Sequence, residues 1–273
     1  MTTIRQLLDQ RYGPAHDIAA RDALTPSIEA ILGHRSVRAY LPDALEPGTV
    51  ELLLAAAQSA PSSSNLQVWS AVVVQDPARK ARLAELAGGQ QHIHDAPLLL
   101  VFLADTSRLS AAGAKQQLPG EGLRYLDTFL MGAIDAALAA QSALIAAESL
   151  GLGTVYIGAL RNKPEEVARE LNLPPRVFPL FGLVVGKPDP ARPAAAKPRL
   201  AQRAVAFAEQ YDGTRIDQEI ARYDGVIGEF YVSQQLDNPA WSRHSAERVK
   251  SAQSLRGRDR LREAIKGSGF ELL

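Results

Sequence analysis

No cysteine occurs anywhere in the 273 residues, which excludes disulfides, thiolate nucleophiles and cysteine-ligated metal and leaves nothing that points to an oxidising compartment. Cytoplasmic residence is the expectation. Net charge is lacking as well. Thirty Lys and Arg balance thirty Asp and Glu, so no global field draws the chain to nucleic acid or to an anionic membrane. The N-terminus, MTTIRQLLDQRYGPAHD, carries charges throughout and has no continuous apolar run of the secretory kind. The longest apolar stretch, Leu123 to Leu150, is interrupted by Asp127, Asp135, Gln141 and Glu148, which a lipid-facing helix tolerates only at a cost, and no membrane segment is expected. What the composition does supply is 46% apolar residues, enough to bury a substantial core in one large domain or two small ones.

Several common catalytic parts are missing too. There is no G-x-S-x-G elbow, no S-x-x-K, no H-E-x-x-H and no Walker A sequence. HIHDAP, His92 to Pro97, offers two histidines and an aspartate but no complete ligand set, so no metal is expected. GLGTVYIG begins like a dinucleotide fingerprint at Gly151 and Gly153, yet Tyr156 stands where the third glycine belongs. The order is also inverted: a dinucleotide loop follows a strand and opens a helix, whereas this one follows a helix and opens a strand. Its glycines are better explained as a helix stop.

The regular elements alternate between helix and strand. EPGTVELLLAAAQSAPSSS predicts a helix that starts near Pro47 and Gly48 and ends before Pro61. SAVVVQD predicts a strand buried on both faces, DPARKARLAELAGG an amphipathic helix closed by glycines, and PLLLVFLAD a second buried strand. From Gly122 to Leu150 alanines at 133, 136, 137, 139, 140, 143, 146 and 147 make nearly every face small and apolar over roughly 40 Å of helix, which predicts burial at the centre of the fold or of a dimer. GLGTVYIGAL and VFPLFGLVVG predict further strands, separated by a short helix in NKPEEVARELNLP with Pro164 near its first turn. KPDPARPAAAKPR is a proline-rich basic arm, and charged helical segments follow Leu200. From Trp241 onward eight Lys and Arg face only four acids, a local basic excess in a neutral chain.

Polar groups able to hold a phosphorylated planar molecule stand out against this background. GHRSVRAY packs His34, Arg35 and Arg38 around the Ser36 hydroxyl, and guanidinium forks match phosphate geometry; the alternative is a helix end with solvated charges. APSSSNLQ places hydroxyls and amides at a helix exit, suited either to ribityl oxygens and ring heteroatoms or to a plain polar turn. GGQQH offers Gln90 and His92 after a flexible Gly88-Gly89 step, and KPRL adds Lys197 and Arg199.

Together, GHRSVRAY, APSSSNLQ, GGQQH, AAQSALIAAESLGLGTVYIGALRN, VFPLFGLVVGKP and KPRL, in this order and spacing, resemble the nitroreductase family, in particular its oxygen-insensitive NADPH nitroreductase and NADPH-FMN flavin reductase branch. The resemblance covers residues 27–270, and QSALIAAESLGLG is its most specific element. It implies an α+β sandwich with a central, mainly antiparallel sheet flanked by helices, built as an intertwined homodimer with FMN in each interface cleft. It further implies an N-terminal extension over residues 1–25, an FMN-binding core over 26–200, and a helical C-terminal extension over 201–273 that packs on the core or the dimer partner.

Carried over residue by residue, His34, Arg35, Ser36, Val37 and Arg38 would grip the FMN phosphate and its surroundings, joined by Lys197 and Arg199. Ser62, Ser63, Ser64 and Gln67 would approach the flavin of the other subunit, and Gln90 and His92 would lie near the ribityl or pyrimidine side. Tyr156, Ile157, Gly158 and Ala159 would run beside the isoalloxazine, with the Gly158 amide near flavin N5. Arg256 would recognise the 2′-phosphate of NADPH. The implied reaction is ping-pong two-electron hydride transfer from NADPH through FMN to nitroaromatics, quinones or free flavins. The cofactor carries the chemistry, so no side chain is nominated as acid, base or nucleophile. Two departures from the branch are visible: Ala159 replaces a second glycine, and Asn65 replaces an aromatic and matches the wider family's SSxNxQ pattern. Rival readings are a dehalogenating or flavin-fragmenting enzyme of the same fold, a flavin holder without turnover, and a nucleic-acid binder using the basic tail.

Overall fold

The computed structural model describes residues 2–238 and 240–273. In chain order the helices are α1 (Ile4–Tyr12), α2 (Pro26–Leu32), α3 (Thr49–Gln58), α4 (Pro77–Leu86), α5 (Gln91–Asp95), α6 (Ser107–Lys115), α7 (Leu126–Ser149), α8 (Pro164–Glu170), α9 (Ile216–Ser233), α10 (Trp241–Val249) and α11 (Leu261–Gly267). The strands are β1 (Trp69–Val74), β2 (Leu98–Asp105), β3 (Gly153–Ile157) and β4 (Val177–Gly186). The chain divides into two compact units, the larger of Ser36–Pro193 with Arg256–Leu273, the smaller of Met1–Arg35 with Ala194–Leu255.

The larger unit is built on a four-stranded sheet of order β1-β2-β4-β3 in which every neighbouring pair is antiparallel. Alternation of helix and strand along the sequence thus feeds an antiparallel sheet with helices on both faces, the α+β class expected. β2 is buried along its whole length, as its apolar run predicts. β1 differs from expectation. It pairs only with β2, is an edge strand, and leaves most of its residues half-exposed, Val73 the most open at 37%. A valine run does not by itself distinguish an edge from a centre, because both demand β-branched packing on at least one face.

Helix α7 crosses one face of the sheet. It is long and apolar enough to span a bilayer by length and composition, yet Ala136, Ala139, Ala140, Ala143 and Ala147 are fully buried in the core with Leu98, Leu100, Phe102 and Leu183 of the sheet and Leu53 of α3. The small residues set the approach: a Cβ added at Gly132 would stand 3.0 Å from the Val68 carbonyl and 3.1 Å from Ala104 Cβ. Burial is confined to that face. Leu126, Leu130, Ile134 and Leu138, four residues apart and therefore in one row, are 41–57% exposed in this chain, so the fold of one chain buries only part of the helix. Between α7 and the sheet one ring from each strand forms a ladder, Trp69, Phe102, Phe181 and Tyr156, with successive centroids 5.9, 5.8 and 5.5 Å apart. Gly151 (φ +76°) ends α7 and hands the chain to β3, as a helix-stop glycine should.

The smaller unit holds α1, α2, α9 and α10. Thr3 caps α1 through a reciprocal pair of bonds with Gln6, and Thr25 caps α2 ahead of Pro26 at its first turn. Ile4, Leu7 and Leu8 bury the apolar side of α1.

Candidate functional site

The candidate residues fall on both units, because the chain passes from the smaller to the larger between Arg35 and Ser36. Within the larger unit, Ser36 and Val37 run beside the start of β3. Ser36 forms a parallel bridge with Thr154, and the Val37 amide donates to the Thr154 carbonyl at 2.9 Å. The approach is close enough to require glycine at 153, where an added Cβ would meet the Val37 side chain at 2.8 Å. Val37 is buried, its carbonyl accepting the Tyr40 hydroxyl at 2.7 Å, and Arg38 is left exposed.

Arg38 has His92 for a neighbour. His92 lies on the short helix α5, which the buried ammonium of Lys80 secures by donating to the His94 carbonyl at 3.4 Å and to the Ala96 carbonyl. Burial, and then the Arg38 charge, hold the His92 pKa below its ordinary value against the opposing pull of Asp95, so the imidazole is neutral at pH 7. Its Nε2 is buried with no hydrogen-bond partner among the described residues. Such an atom is costly unless a ligand completes it. Gln90, by contrast, spends its amide on the Ala87 carbonyl at 2.9 Å, at the N-terminus of α5.

At the far end of β3, Tyr156 is 37% exposed, and burial of most of its ring together with the Glu148 charge raises its phenol well above the usual range. Ile157 is buried, and Gly158 and Ala159 open a turn of 3-10 helix running to Asn162. A Cβ added at Gly158 would come into ordinary contact with the Arg161 guanidinium, 3.4 Å from its nearest nitrogen. Arg161 is half-buried and donates to the Leu180 carbonyl. Arg256 is exposed and has φ +57°. It precedes Gly257, whose added Cβ would strike the Asn162 carbonyl at 2.6 Å, and Arg258 donates to the Asn162 side chain at 2.9 Å. The two successors of Arg256, Gly257 and Arg258, thus pack against the end of the Gly158 turn. Other cations of the basic tail are engaged locally, Lys250 with Glu247 at 2.5 Å and Arg260 with Glu165 at 3.4 Å.

The Ser62–Gln67 loop stands elsewhere. It leads into β1, while the Gly158 turn follows β3, so the two occupy opposite edges of the sheet at the same end. Three interstrand spacings, roughly 14 Å, separate them. One chain does not bring these candidates together. The loop is unusual in itself: Ser64 (φ 48°), Asn65 (φ 56°) and Gln67 (φ 51°) all adopt left-handed backbone without being glycine. Two side chains that sequence reasoning did not nominate hold it in place. Asp135 of α7, 1% exposed, accepts the Ser63 amide at 3.0 Å and the Val68 amide at 3.4 Å. Arg108 donates to the Gln67 carbonyl at 2.7 Å and to Asp105 at 2.9 Å. Burial pushes the Asp105 carboxyl up, but hydrogen bonds from Ser107 and Ser70 and the Arg108 charge outweigh it and bring the pKa below its ordinary value. Ser62, Asn65, Gln67, Trp69 and Arg108 line a surface cavity of about 580 Å³ beside the loop.

On the smaller unit His34 is half-buried and Arg35 exposed, and so are Lys197 and Arg199 at the foot of the proline-rich arm. Lys197 lies over the Tyr231 ring, 5.4 Å from its centroid, and the Tyr223 hydroxyl donates to the Pro198 carbonyl at 2.8 Å.

Comparison with known proteins adds the following. Residues 31–187 match the nitroreductase family, and residues 197–273 match the C-terminal domain of that family. The chain is 38% identical over 247 residues to an FMN reductase [NAD(P)H] of Bacillus subtilis, covering 90% of this chain and 98% of that one. It is 39% identical over 224 residues to an oxygen-insensitive NADPH nitroreductase of Salmonella typhimurium, covering 81% and 90%. Among solved structures, that of B. megaterium NfrA2 superposes with a TM-score of 0.87 at 37% identity over 92% of this chain and 100% of that one.

Proposed function

The chain belongs to the nitroreductase family, and on that footing we propose how it acts: it is an FMN-dependent NAD(P)H oxidoreductase whose acceptors are small electrophiles of the nitroaromatic, quinone or flavin kind. The observation that carries the reading is the buried Nε2 of His92, without a hydrogen-bond partner among the described residues, in an imidazole close enough to Arg38 for that charge to lower its pKa. FMN, when bound, supplies two-electron hydride chemistry between NADPH and the acceptor.

The residues of the chain bind and orient. We assign Ser36, Val37, Arg38, Gln90 and His92, by the start of β3, to the phosphate and ribityl part of FMN, and Tyr156 to Ala159, at its end, to the ring. The absence of a side chain at Gly158 supports this assignment, since a donor amide can reach a flavin edge only where no side chain intervenes. His34, Arg35, Lys197 and Arg199 are assigned to the phosphate, where guanidinium and ammonium groups are the natural donors. Arg256 is assigned to the NADPH 2′-phosphate, supported by its exposure and by the packing of the next two residues, Gly257 and Arg258, against Asn162.

Ser62, Ser63, Ser64 and Gln67 are assigned to the flavin held by a second copy of the chain. Their separation from the Gly158 turn and the exposed row Leu126, Leu130, Ile134 and Leu138 on α7 both favour a homodimer. A cytoplasmic location goes with the reading.

The test is spectroscopic. Purified protein incubated with FMN and freed of excess should show the oxidised-flavin bands, lose them on anaerobic addition of NADPH, and regain them with a quinone. A preparation that stays colourless after incubation with FMN overturns the proposal.

A further inference from the structure

The family match begins at residue 31, and α1 lies before it. This helix is nonetheless firmly seated in the smaller unit. Ile4, Leu7 and Leu8 are buried, and the segment after α1 is fastened by an Arg203–Asp17 ion pair at 3.0 Å and by Arg222 donating to the Ala15 carbonyl at 3.0 Å. The last turn of α1 carries Arg11, only 6% exposed. Charged side chains are seldom buried unless their donors are satisfied, and those of Arg11 are satisfied by main chain. Nη2 donates to the Leu32 carbonyl at 2.7 Å and to the His34 carbonyl at 2.8 Å, while Nη1 donates to the Lys197 carbonyl at 2.8 Å. The Arg11 carbonyl in turn accepts the Arg199 amide at 2.7 Å.

One residue thus joins three stretches of chain far apart in sequence, and two of them bear groups assigned to the FMN phosphate: His34 and Arg35 on one, Lys197 and Arg199 on the other. Cations gathered for one anion repel each other before it arrives, so their spacing has to be imposed by the backbone beneath them. A planar guanidinium with fixed donor directions does this in a way a flexible ammonium cannot.

We propose that α1 is a clamp built into the cofactor site and that Arg11 is its positioning residue, setting the distance between the His34–Arg35 and Lys197–Arg199 segments so that both reach one phosphate. The inference rests on the FMN reading above.

The test compares FMN with riboflavin, which lacks the phosphate, by titration against flavin-freed full-length protein. Arg11→Met removes every donor and keeps the stem, and Arg11→Lys keeps the charge and loses the fork. Arg11→Met should raise the FMN dissociation constant about tenfold and leave that of riboflavin within about twofold, with Arg11→Lys intermediate. Unchanged FMN affinity, or equal weakening toward both flavins, overturns the clamp, the second because a general structural defect does not discriminate by phosphate. Should Arg11→Met fail to fold, Arg11→Lys decides alone: about threefold selective loss of FMN supports the clamp and wild-type affinity sinks it. Wild-type protein that binds no FMN would instead overturn the function, and the clamp with it.

Discussion

The carboxylate of Asp135 accepts the backbone amide of Ser63 at 3.0 Å, linking the middle of α7 to a loop whose residues 64, 65 and 67 are all left-handed. Three non-glycine residues in that region cost backbone energy that some other contact has to offset. Asp135 offers one oxygen to Ser63 and the other to Val68. Asp135→Ala should therefore leave two amides without an acceptor and destabilise the protein by about 3 kcal/mol in urea denaturation. Asp135→Asn retains one acceptor and should lose less. If both variants denature like wild type, the loop is held by other means.

Gly153 makes a second steric prediction. With Val37 side-chain atoms 2.8–2.9 Å from the place of its Cβ, alanine there has to push residues 36–38 off β3 and break the bond from the Val37 amide to the Thr154 carbonyl. Gly153→Ala should cost about 1–3 kcal/mol and reduce flavin retention after gel filtration. Full flavin occupancy in this variant would separate the Ser36–Arg38 segment from cofactor binding.

These two residues mark what could and could not be seen beforehand. Gly153 shows in the sequence as half of a false dinucleotide fingerprint, and only the register of β3 with residues 36–37 reveals that it is glycine for packing. Asp135 shows only as a charge that a lipid-facing helix would resent; that it faces a loop 72 positions earlier depends on tertiary packing. The four strands, helices α3, α4, α7 and α8 and the stop at Gly151 were legible, because periodicity and turn chemistry are local, whereas α1, α2, α5 and α6 were not read. The edge position of β1 was not, because strand order is set by long-range pairing that no local pattern encodes. Arg11 and Arg108 escaped for a similar reason: each acts on carbonyl groups, and carbonyls leave no trace in side-chain motifs.

His92 should make stability depend on pH. Its folded pKa lies below the ordinary value of 6.5, so in the window beneath that value the unfolded chain takes up a proton that the folded one resists. Stability is complete above about pH 7 and is lost as pH falls through 6.5 toward the folded pKa. Flavin-free wild-type protein should show a fall in melting temperature over that window that His92→Gln lacks, the two profiles running parallel above it. Parallel profiles throughout would show that His92 titrates normally.

The row of exposed apolar residues on α7 predicts the oligomeric state. Ile134, at 57% exposure the most open of the four, stands midway along it. If this face is covered by a second copy, Ile134→Lys buries an unpaired charge and should weaken self-association about a hundredfold, turning a dimer into a monomer in sedimentation equilibrium at micromolar concentration. Because the Ser62–Gln67 loop is assigned to the flavin of the other subunit, activity should fall with the dimer and return as protein concentration is raised.

Arg256 tests donor recognition. NADPH and NADH differ by one phosphate, and a charge-assisted hydrogen bond to it is made with one nucleotide and not the other. Arg256→Ala should raise the KM for NADPH about tenfold while that for NADH moves by less than about twofold, with little change in kcat for either. The side chain is exposed and its own backbone is left-handed, so Arg256→Gly removes the guanidinium while relieving the φ of +57°. A loss of discrimination common to the alanine and glycine variants then belongs to the missing cation, and equal effects on both nucleotides in either variant would return Arg256 to the solvated surface of the tail.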